Sequence, residues 1–341
     1  RPCSSELIGM MRSFLHRMGA APAINELHGM TGSGTTADKV LPSNRWLFTS
    51  APRGLDPSLY EVNAHSYNAT VTDICQYGIC RAASVAKNRK SARYVASEPN
   101  AYMFAQLGIM RALDHELRHL FGHHTPLWTP DQHRTFLRSA NNATIDLSDA
   151  SDMVSRRLCA AVLPKDWGRL LFAARSSFVQ FPDGSLLPLR TFAPMGNGFC
   201  FRVLTLIVAT ICAVSCDHEW SVYGDDIICH RRDYDHLCHQ LTSAGLIVNT
   251  MKSCSSQYIE SCGLELYRGV DITPWHPHTL MTHGNCVIDL AAANMAGVRG
   301  LPNVADSIMS NIASLGIRQR YNVSYQCREF RLPVKVARKT Q

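Results

Sequence analysis

The chain has 341 residues, 46% of them hydrophobic, which is enough apolar material for a large core and for two or three lobes. Its formal net charge is +7, from 34 Lys+Arg against 27 Asp+Glu, a mildly basic balance that suits a polyanionic partner without identifying one. The 13 cysteines have no fixed spacing framework, and the longest apolar run, Val203 to Val214, is too short to cross a bilayer; a disulfide scaffold and a membrane span are excluded, leaving reduced, mostly buried thiols and a buried helix.

The first residue is Arg1 rather than Met, and the opening residues lack a secretory signal pattern, so we expect a partial or processed sequence. Ile8 to Met18 is Met-rich and amphipathic. Gly29-Met-Thr-Gly-Ser-Gly-Thr-Thr36 lacks the Gly-Lys-Ser/Thr ending of a phosphate-binding loop and reads as an ordinary loop. Residues 81–93 are basic. Residues 100–121 carry Tyr102, Phe104, Leu107, Ile109, Leu113, Leu117 and Leu120 at helical spacing. Ala143 to Leu147 reads as a strand, followed by a helix from Ser151 to Leu163 that Pro164 ends. Phe181-Pro-Asp-Gly-Ser185 is a turn, and a long helix begins after Met195-Gly-Asn-Gly198. Val222 to Cys229 reads as a hairpin, and Asp233 to Ala244 as a helix closed by Gly245. Strands follow at Leu246–Val248, Gln257–Glu260 and Leu264–Tyr267. The alternation predicts an α+β fold of antiparallel character.

The hairpin carries the chemistry. Tyr223-Gly224-Asp225-Asp226 sets two adjacent carboxylates at a turn, where unit charges about 4 Å apart repel by roughly 4 kcal/mol at an effective dielectric near 20. A site that binds divalent cations turns that repulsion to use, and nucleic-acid polymerases hold two Mg²⁺ in this way. Asp146, after its apolar strand, is the matching third carboxylate. Asp152 suits the first turn of the next helix, and Asp149 reads as a plain N-cap. Gly196 and Asn197 offer close approach and a donor–acceptor amide to a nucleotide. Lys87, Arg89, Lys90 and Arg93 can hold a triphosphate, although such a charge run is more often a solvated face, and Lys252 can donate a proton to a leaving pyrophosphate, although a lone surface lysine is the commoner case.

Taken in order, Lys87-Asn-Arg-Lys90, Ser97-Glu-Pro99, Thr144-Ile-Asp-Leu-Ser148 with Ala150-Ser-Asp152, Pro182-Asp-Gly-Ser185, Met195-Gly-Asn-Gly198, Tyr223-Gly-Asp-Asp226, Asn249-Thr250 with Lys252, and Glu260-Ser-Cys-Gly263 with Gly269-Val-Asp-Ile-Thr-Pro274 resemble the replicase β subunits of leviviruses, the single-stranded RNA phages. The resemblance implies an RNA-directed RNA polymerase with a right-hand fold and an antiparallel palm sheet, shortened at both ends. It implies fingers over 1–140, the first catalytic palm strand in 141–165, a fingers insertion over 166–192, the palm hairpin within 193–275, and the start of a thumb over 276–341. By this resemblance Asp146, Asp225 and Asp226 hold two Mg²⁺ (Mn²⁺ as substitute), and Asp152 and Asn197 inspect the ribose 2′-OH. Lys87, Arg89, Lys90 and Arg93 line nucleotide access, and Lys252 is the general acid. The implied partners are a single-stranded RNA template, nascent RNA, ribonucleoside triphosphates, host elongation factors Tu and Ts and a ribosomal small-subunit protein; the implied setting is the bacterial host cytoplasm, with no membrane. Phe199-Cys-Phe-Arg-Val203 departs from the family, which there continues with an aromatic, Thr, Phe and acidic residues.

Three rival readings stand beside this one. A reverse transcriptase shares the palm and a Tyr-x-Asp-Asp hairpin, but Gly224, Asp152 and Asn197 favour ribonucleotides. A non-catalytic RNA-binding relic is opposed by the intact Asp146, Asp225 and Asp226. His115-Glu-Leu-Arg-His119 matches the zinc-protease pattern H-E-x-x-H, yet Thr125 stands where the extended form needs a third His, and His123 and His124 miss the register. We expect the purified protein to carry no stoichiometric zinc.

Overall fold

The computed structural model describes residues 4–23, 26–48, 50–55, 59–60, 73–75, 78–86, 92–139, 141–274, 293, 296–297 and 300–314. The chain divides into two compact units, Arg1–Thr273 and Pro274–Gln341.

The first unit opens with α1 (Ser5–Leu15), whose N-cap Ser4 accepts from the Leu7 amide and whose buried stripe is Leu7, Met11 and Leu15. Strands β1 (Ser50–Pro52) and β2 (Asp73–Cys75) pair in parallel. The basic stretch contributes to two strands, β3 (Ile79–Ala86) and β4 (Ala92–Ser97), paired antiparallel from Arg81↔Ser97 to Ala86↔Ala92. Lys87, Arg89 and Lys90 lie outside the described residues. Helix α2 (Asn100–Phe121) fills the span its apolar spacing predicts and ends at Gly122. The short α3 (Pro130–Phe136) is capped by Thr129.

Next come β5 (Asn142–Ile145) and β6 (Leu147–Ser148), with Asp146 at the break between them. The helix expected over Ser151–Leu163 is two pieces, α4 (Ala150–Met153) and α5 (Arg156–Val162). The break has a tertiary cause: Phe192 donates its amide to the Val154 carbonyl, Ser155 bridges Thr191, and the Ser155 hydroxyl caps Leu158. Pro164 ends α5 and stands at the N-cap of α6 (Lys165–Ala173), a helix the sequence reading did not mark. Strands β7 (Phe178–Gln180) and β8 (Leu186–Pro188) flank the Phe181–Ser185 turn; β7 joins β3 in parallel, giving the order β4-β3-β7-β8.

Helix α7 (Cys200–Ser215) is buried continuously from Val203 to Cys212. It leads to β9 (Trp220–Tyr223) and β10 (Asp226–His230), which with β5 form an antiparallel sheet of order β5-β10-β9. Both faces of this sheet are covered: Ile227 joins the main core with Leu113, Ile145 and Val222, while Ile228 joins Leu137, Ile259 and Leu266. Helix α8 (Tyr234–Ser243) ends before Gly245, which has φ 90°. Strand β11 (Ile247–Val248) pairs β6, and β12 (Tyr258–Ser261), β13 (Leu264–Tyr267) and β14 (Val270–Asp271) form a meander. The fold is therefore mixed α+β, with antiparallel sheets beside two parallel pairings. Within the second unit, α9 (Pro302–Ser314) carries Ile308 against Ala293.

Candidate active site

The hairpin turn is two residues, Gly224 and Asp225, because Tyr223 pairs with Asp226. Gly224 has φ 67° and Asp225 does not share the left-handed region, the order a type II′ turn requires. A Cβ at Gly224 would lie 2.5 Å from the Phe201 ring, which itself meets Tyr223 edge-on at 5.0 Å. The residues that depart from the family pattern are thus fitted to this hairpin. Arg202 adds an ion pair to the buried Asp114, tying α7 to α2.

Ile227 pairs with Ile145, so the register sets Asp226 opposite Asp146, one step past the β5 ladder. Asp146 is held from several sides. Its amide donates to the Ser253 hydroxyl oxygen at 3.1 Å, its carbonyl accepts from the Asn249 amide at 2.9 Å, and its carboxylate accepts from Asn249 Nδ2 at 2.8 Å. Lys252 Nζ stands 3.7 Å from Asp146 Oδ1. Asp226 Oδ2 accepts from the Cys262 thiol at 3.2 Å.

Electrostatics bind these groups into one site. Burial pushes the Asp226 carboxyl up to about 6 against the Cys262 hydrogen bond, with Asp225, Glu260 and Asp146 pushing the same way as burial. Asp225 is raised by burial and by Asp146, and pulled back by Arg93 and Lys252. Arg93, on β4, is therefore near enough to act on the hairpin tip. Asp152 is raised by burial and by Asp149. Asp149 stands at the α4 N-cap as expected, but with φ 48° and without a side-chain cap bond, so its carbonyl rather than its carboxylate meets the first turn.

The donor set is all carboxylate oxygen, which suits a hard divalent cation such as Mg²⁺ or Mn²⁺. Three donor atoms within 4.8 Å of one another are not gathered here among the described residues. Mutual repulsion explains the spread, together with the Asn249 and Lys252 bonds on Asp146 and the Cys262 bond on Asp226.

Gly196 and Asn197 both make close contacts within the protein. Gly196 has φ 105°, and a Cβ there would lie 2.4 Å from the Ala96 carbonyl oxygen of β4. The close approach that requires glycine is made by β4. Asn197 is buried, donates to Glu98 Oε1 at 3.0 Å and accepts from the Phe199 amide at 3.0 Å. Glu98 is fully buried; burial raises its carboxyl, opposed by hydrogen bonds from Ser176, Asn197 and Gln106 and by Arg175. Gln106 also receives the Gly198 amide at 2.8 Å. Glu98, Gln106 and Ser176 were not singled out from the sequence, although Glu98 lies in the Ser97-Glu-Pro99 segment of the resemblance. His133 and Cys262 were likewise not singled out.

His115 and His119 sit on the exposed side of α2, while Glu116 turns inward to accept from the Gly19 amide at 2.9 Å. The HELRH segment thus splits its Glu from its two His.

The family described as RNA replicase, beta-chain, matches residues 61–293. The RNA-directed RNA polymerase subunit beta of Escherichia virus Qbeta is 33% identical over 294 residues, covering 83% of this chain and 48% of that protein. That of Enterobacteria phage SP is 36% identical over 212 residues, covering 58% of this chain and 35% of that protein. The chain thus spans about half the length, or less, of these relatives. Among solved structures, the RNA-dependent RNA polymerase of a human picorbirnavirus aligns with TM-score 0.51 at 14% identity, over 78% of this chain and 57% of that one, a likeness of fold. With two-thirds of its length inside the family match, this chain belongs to the RNA replicase beta-chain family.

Proposed function

We propose that this chain carries the catalytic centre of an RNA-directed RNA polymerase that copies a single-stranded RNA phage genome. The supporting observation is the β5-β10-β9 sheet, which sets Asp146 against Asp225-Asp226 from strands far apart in sequence. In this reading residues 141–165 and 193–275 are palm, 1–140 and 166–192 are fingers, and the thumb begins near 276.

Asp146, Asp225 and Asp226 hold the cations. Two bound Mg²⁺ would supply charge neutralisation and an activated 3′-hydroxyl for nucleotidyl transfer. Lys252, braced on Asp146, donates a proton to the departing pyrophosphate. Arg93 receives the triphosphate beside the hairpin, with Lys87, Arg89 and Lys90 assigned to the same access route. Asp152 and Asn197 favour ribonucleotides. Asp152 contacts the 2′-hydroxyl; Asn197 retains one N–H and one lone pair beyond its bonds to Glu98 and Phe199, enough to serve either directly or by positioning the turn. Elongation factors Tu and Ts and a ribosomal small-subunit protein are the proposed host partners, in the host cytoplasm. Among the described residues no helix is long and apolar enough to cross a membrane.

The test is single-nucleotide incorporation on an RNA template with Mg²⁺. Asp225→Asn keeps size and removes the charge that holds the cations. Several kcal/mol of charge stabilisation is at stake, so incorporation should fall by roughly a thousandfold. The thermal midpoint should stay equal or rise, because repulsion in the cation-free site is relieved. Near-normal incorporation by a clean Asp225→Asn preparation would remove the polymerase assignment. A preference for deoxyribonucleotides in the unmodified protein would replace it with a reverse transcriptase.

A further inference from the structure

The two histidines that miss the H-E-x-x-H register meet a different carboxylate. The short turn Gly122–His124 after α2 brings His123 and His124 against Glu219, the residue before β9. His123 Nε2 lies 3.5 Å and His124 Nδ1 3.9 Å from the same oxygen, Glu219 Oε2. One donor atom from each of the three falls within 4.8 Å of the others. The imidazoles are aligned by their surroundings. The two rings lie 4.2 Å apart, His124 stacks on the Trp220 indole at 4.4 Å, and its Nδ1 bonds the Trp220 carbonyl at 2.7 Å. His124 and Glu219 also line a cavity of about 730 Å³ shared with His218, His230 and Asp217.

An exposed ion pair is a poor account of this cluster. His123 and Glu219 are 68% and 69% exposed, and pairs so placed contribute about 0–1 kcal/mol. A neutral imidazole offers a ring-nitrogen lone pair to a metal ion. Two imidazoles and one carboxylate, open on the solvent side, form the donor set of a late first-row divalent ion and not of Mg²⁺.

We propose that His123, His124 and Glu219 bind a divalent transition ion of the zinc type, at a site separate from the Asp146–Asp225–Asp226 carboxylates; this replaces the expectation of no zinc, which rests on the pattern of His115 and His119 alone. Tetrahedral ligands at about 2.0–2.1 Å from an ion stand about 3.4 Å apart, so donors now within 4.8 Å of one another need close by at most about 1.4 Å. His124 Nδ1 must release the Trp220 carbonyl and the proton it shares there, which keeps the affinity below that of a closed four-ligand site and makes it fall in acid. Glu219 leads directly into β9, whose far end carries the Gly224–Asp225 turn, so the ion braces the strand behind the hairpin. The site stands whether or not the polymerase assignment does.

The experiment is a Co²⁺ titration of the full chain in excess Mg²⁺, which keeps the hard carboxylate site filled. The expected result is one equivalent of Co²⁺ with d–d absorption and no thiolate charge-transfer band. His123→Ala and Glu219→Gln should each weaken it by roughly tenfold or more, while the His115→Ala/His119→Ala double variant should not. Zn²⁺ should raise the thermal midpoint of the unmodified chain and not that of His123→Ala. Absence of binding, a thiolate band on the bound ion, or equal affinity in His123→Ala would overturn the assignment.

Discussion

His133 gives the most quantitative handle on the site's support. It is fully buried on α3, with Nδ1 2.8 Å from the Ser221 hydroxyl of β9 and Nε2 2.9 Å from the Ser261 hydroxyl of β12. A neutral imidazole donates through one nitrogen and accepts through the other, and a hydroxyl can answer either role. Burial, with a smaller push from Arg134, lowers the His133 pKa from 6.5 to about 3. The folded pKa lies below the unfolded one, so acid works against folding: below pH 6.5 the unfolded chain takes up a proton that the folded chain refuses. Stability is full above about pH 6.5 and declines as the pH falls toward 3. At pH 5.0 the gap is about 1.5 units, or about 2 kcal/mol. The perturbation is His133→Gln, read by urea unfolding at pH 7.5 and pH 5.0. The unmodified chain should lose about 2 kcal/mol more than the variant between the two pH values. Other titrations cancel in the difference, including the raised Asp225 and Asp226 carboxyls, which act in the opposite direction. Equal losses in the two proteins would refute the buried, neutral clamp.

Two further outcomes follow from the same geometry. Gly224→Ala meets both a φ of 67° and a 2.5 Å approach to Phe201, so it should cost about 1–3 kcal/mol in thermal or urea unfolding and depress nucleotide incorporation; Phe201→Ala in the same chain should restore part of the stability and not all, since the backbone strain remains. Arg93→Ala should raise the apparent KM for nucleotides by roughly tenfold, the worth of about 1.4 kcal/mol of charge contact, while leaving the unfolding midpoint nearly unchanged; steady-state incorporation across a nucleotide series checks it, and an unaltered KM would detach Arg93 from the triphosphate.

What the sequence made legible is what depends on neighbours in the chain. The hairpin could be read because Gly224 supplies the turn and the flanking residues favour strand, and α2 because its apolar residues recur with the helical period. The Ser151–Leu163 helix was misread because Thr191 and Phe192, nearly forty residues away, take the backbone bonds that would have continued it at Val154 and Ser155. The parallel β3–β7 pairing joins residues about a hundred positions apart and leaves no local trace. His133, Glu98 and Cys262 were silent for a related reason: a buried polar residue is defined by its partners, here Ser221 and Ser261, Asn197 and Ser176, and Asp226. Lys252 could be read from its residues only as a candidate proton donor, since a lysine after a turn has no signature of its own, and the bonds of Asn249 to Asp146 left no trace in the sequence.

The fold nevertheless gives Lys252 a physical reason to be where it is. The segment Asn249–Cys254 runs alongside β5: the Cys254 amide donates to the Thr144 carbonyl and the Thr144 amide to the Cys254 carbonyl, each at 2.8 Å. Between those bonds and the Asn249 amide on the Asp146 carbonyl, the turn has little freedom to move without Asp146. Ser253 closes it from the other side by accepting the Asp146 amide. The proposed proton donor and the proposed cation ligand are therefore mounted on one another. A shift of β5 carries both: the backbone bonds keep the Lys252 stem within reach of Asp146, and the half-exposed ion pair at 3.7 Å between Lys252 Nζ and Asp146 Oδ1 then needs to supply little attraction of its own. The adjacent Asp225 and Asp226 are eased in different ways before any cation arrives: Asp226 by its raised pKa and the Cys262 bond, Asp225 by nearby cationic side chains. Lys252 and Arg93 each draw the raised Asp225 carboxyl back toward ionisation, and both approach it from segments outside the hairpin. Asp225 is thus kept ready to ionise by cationic side chains that, in the proposed reaction, turn to the incoming triphosphate once cations take over the charge.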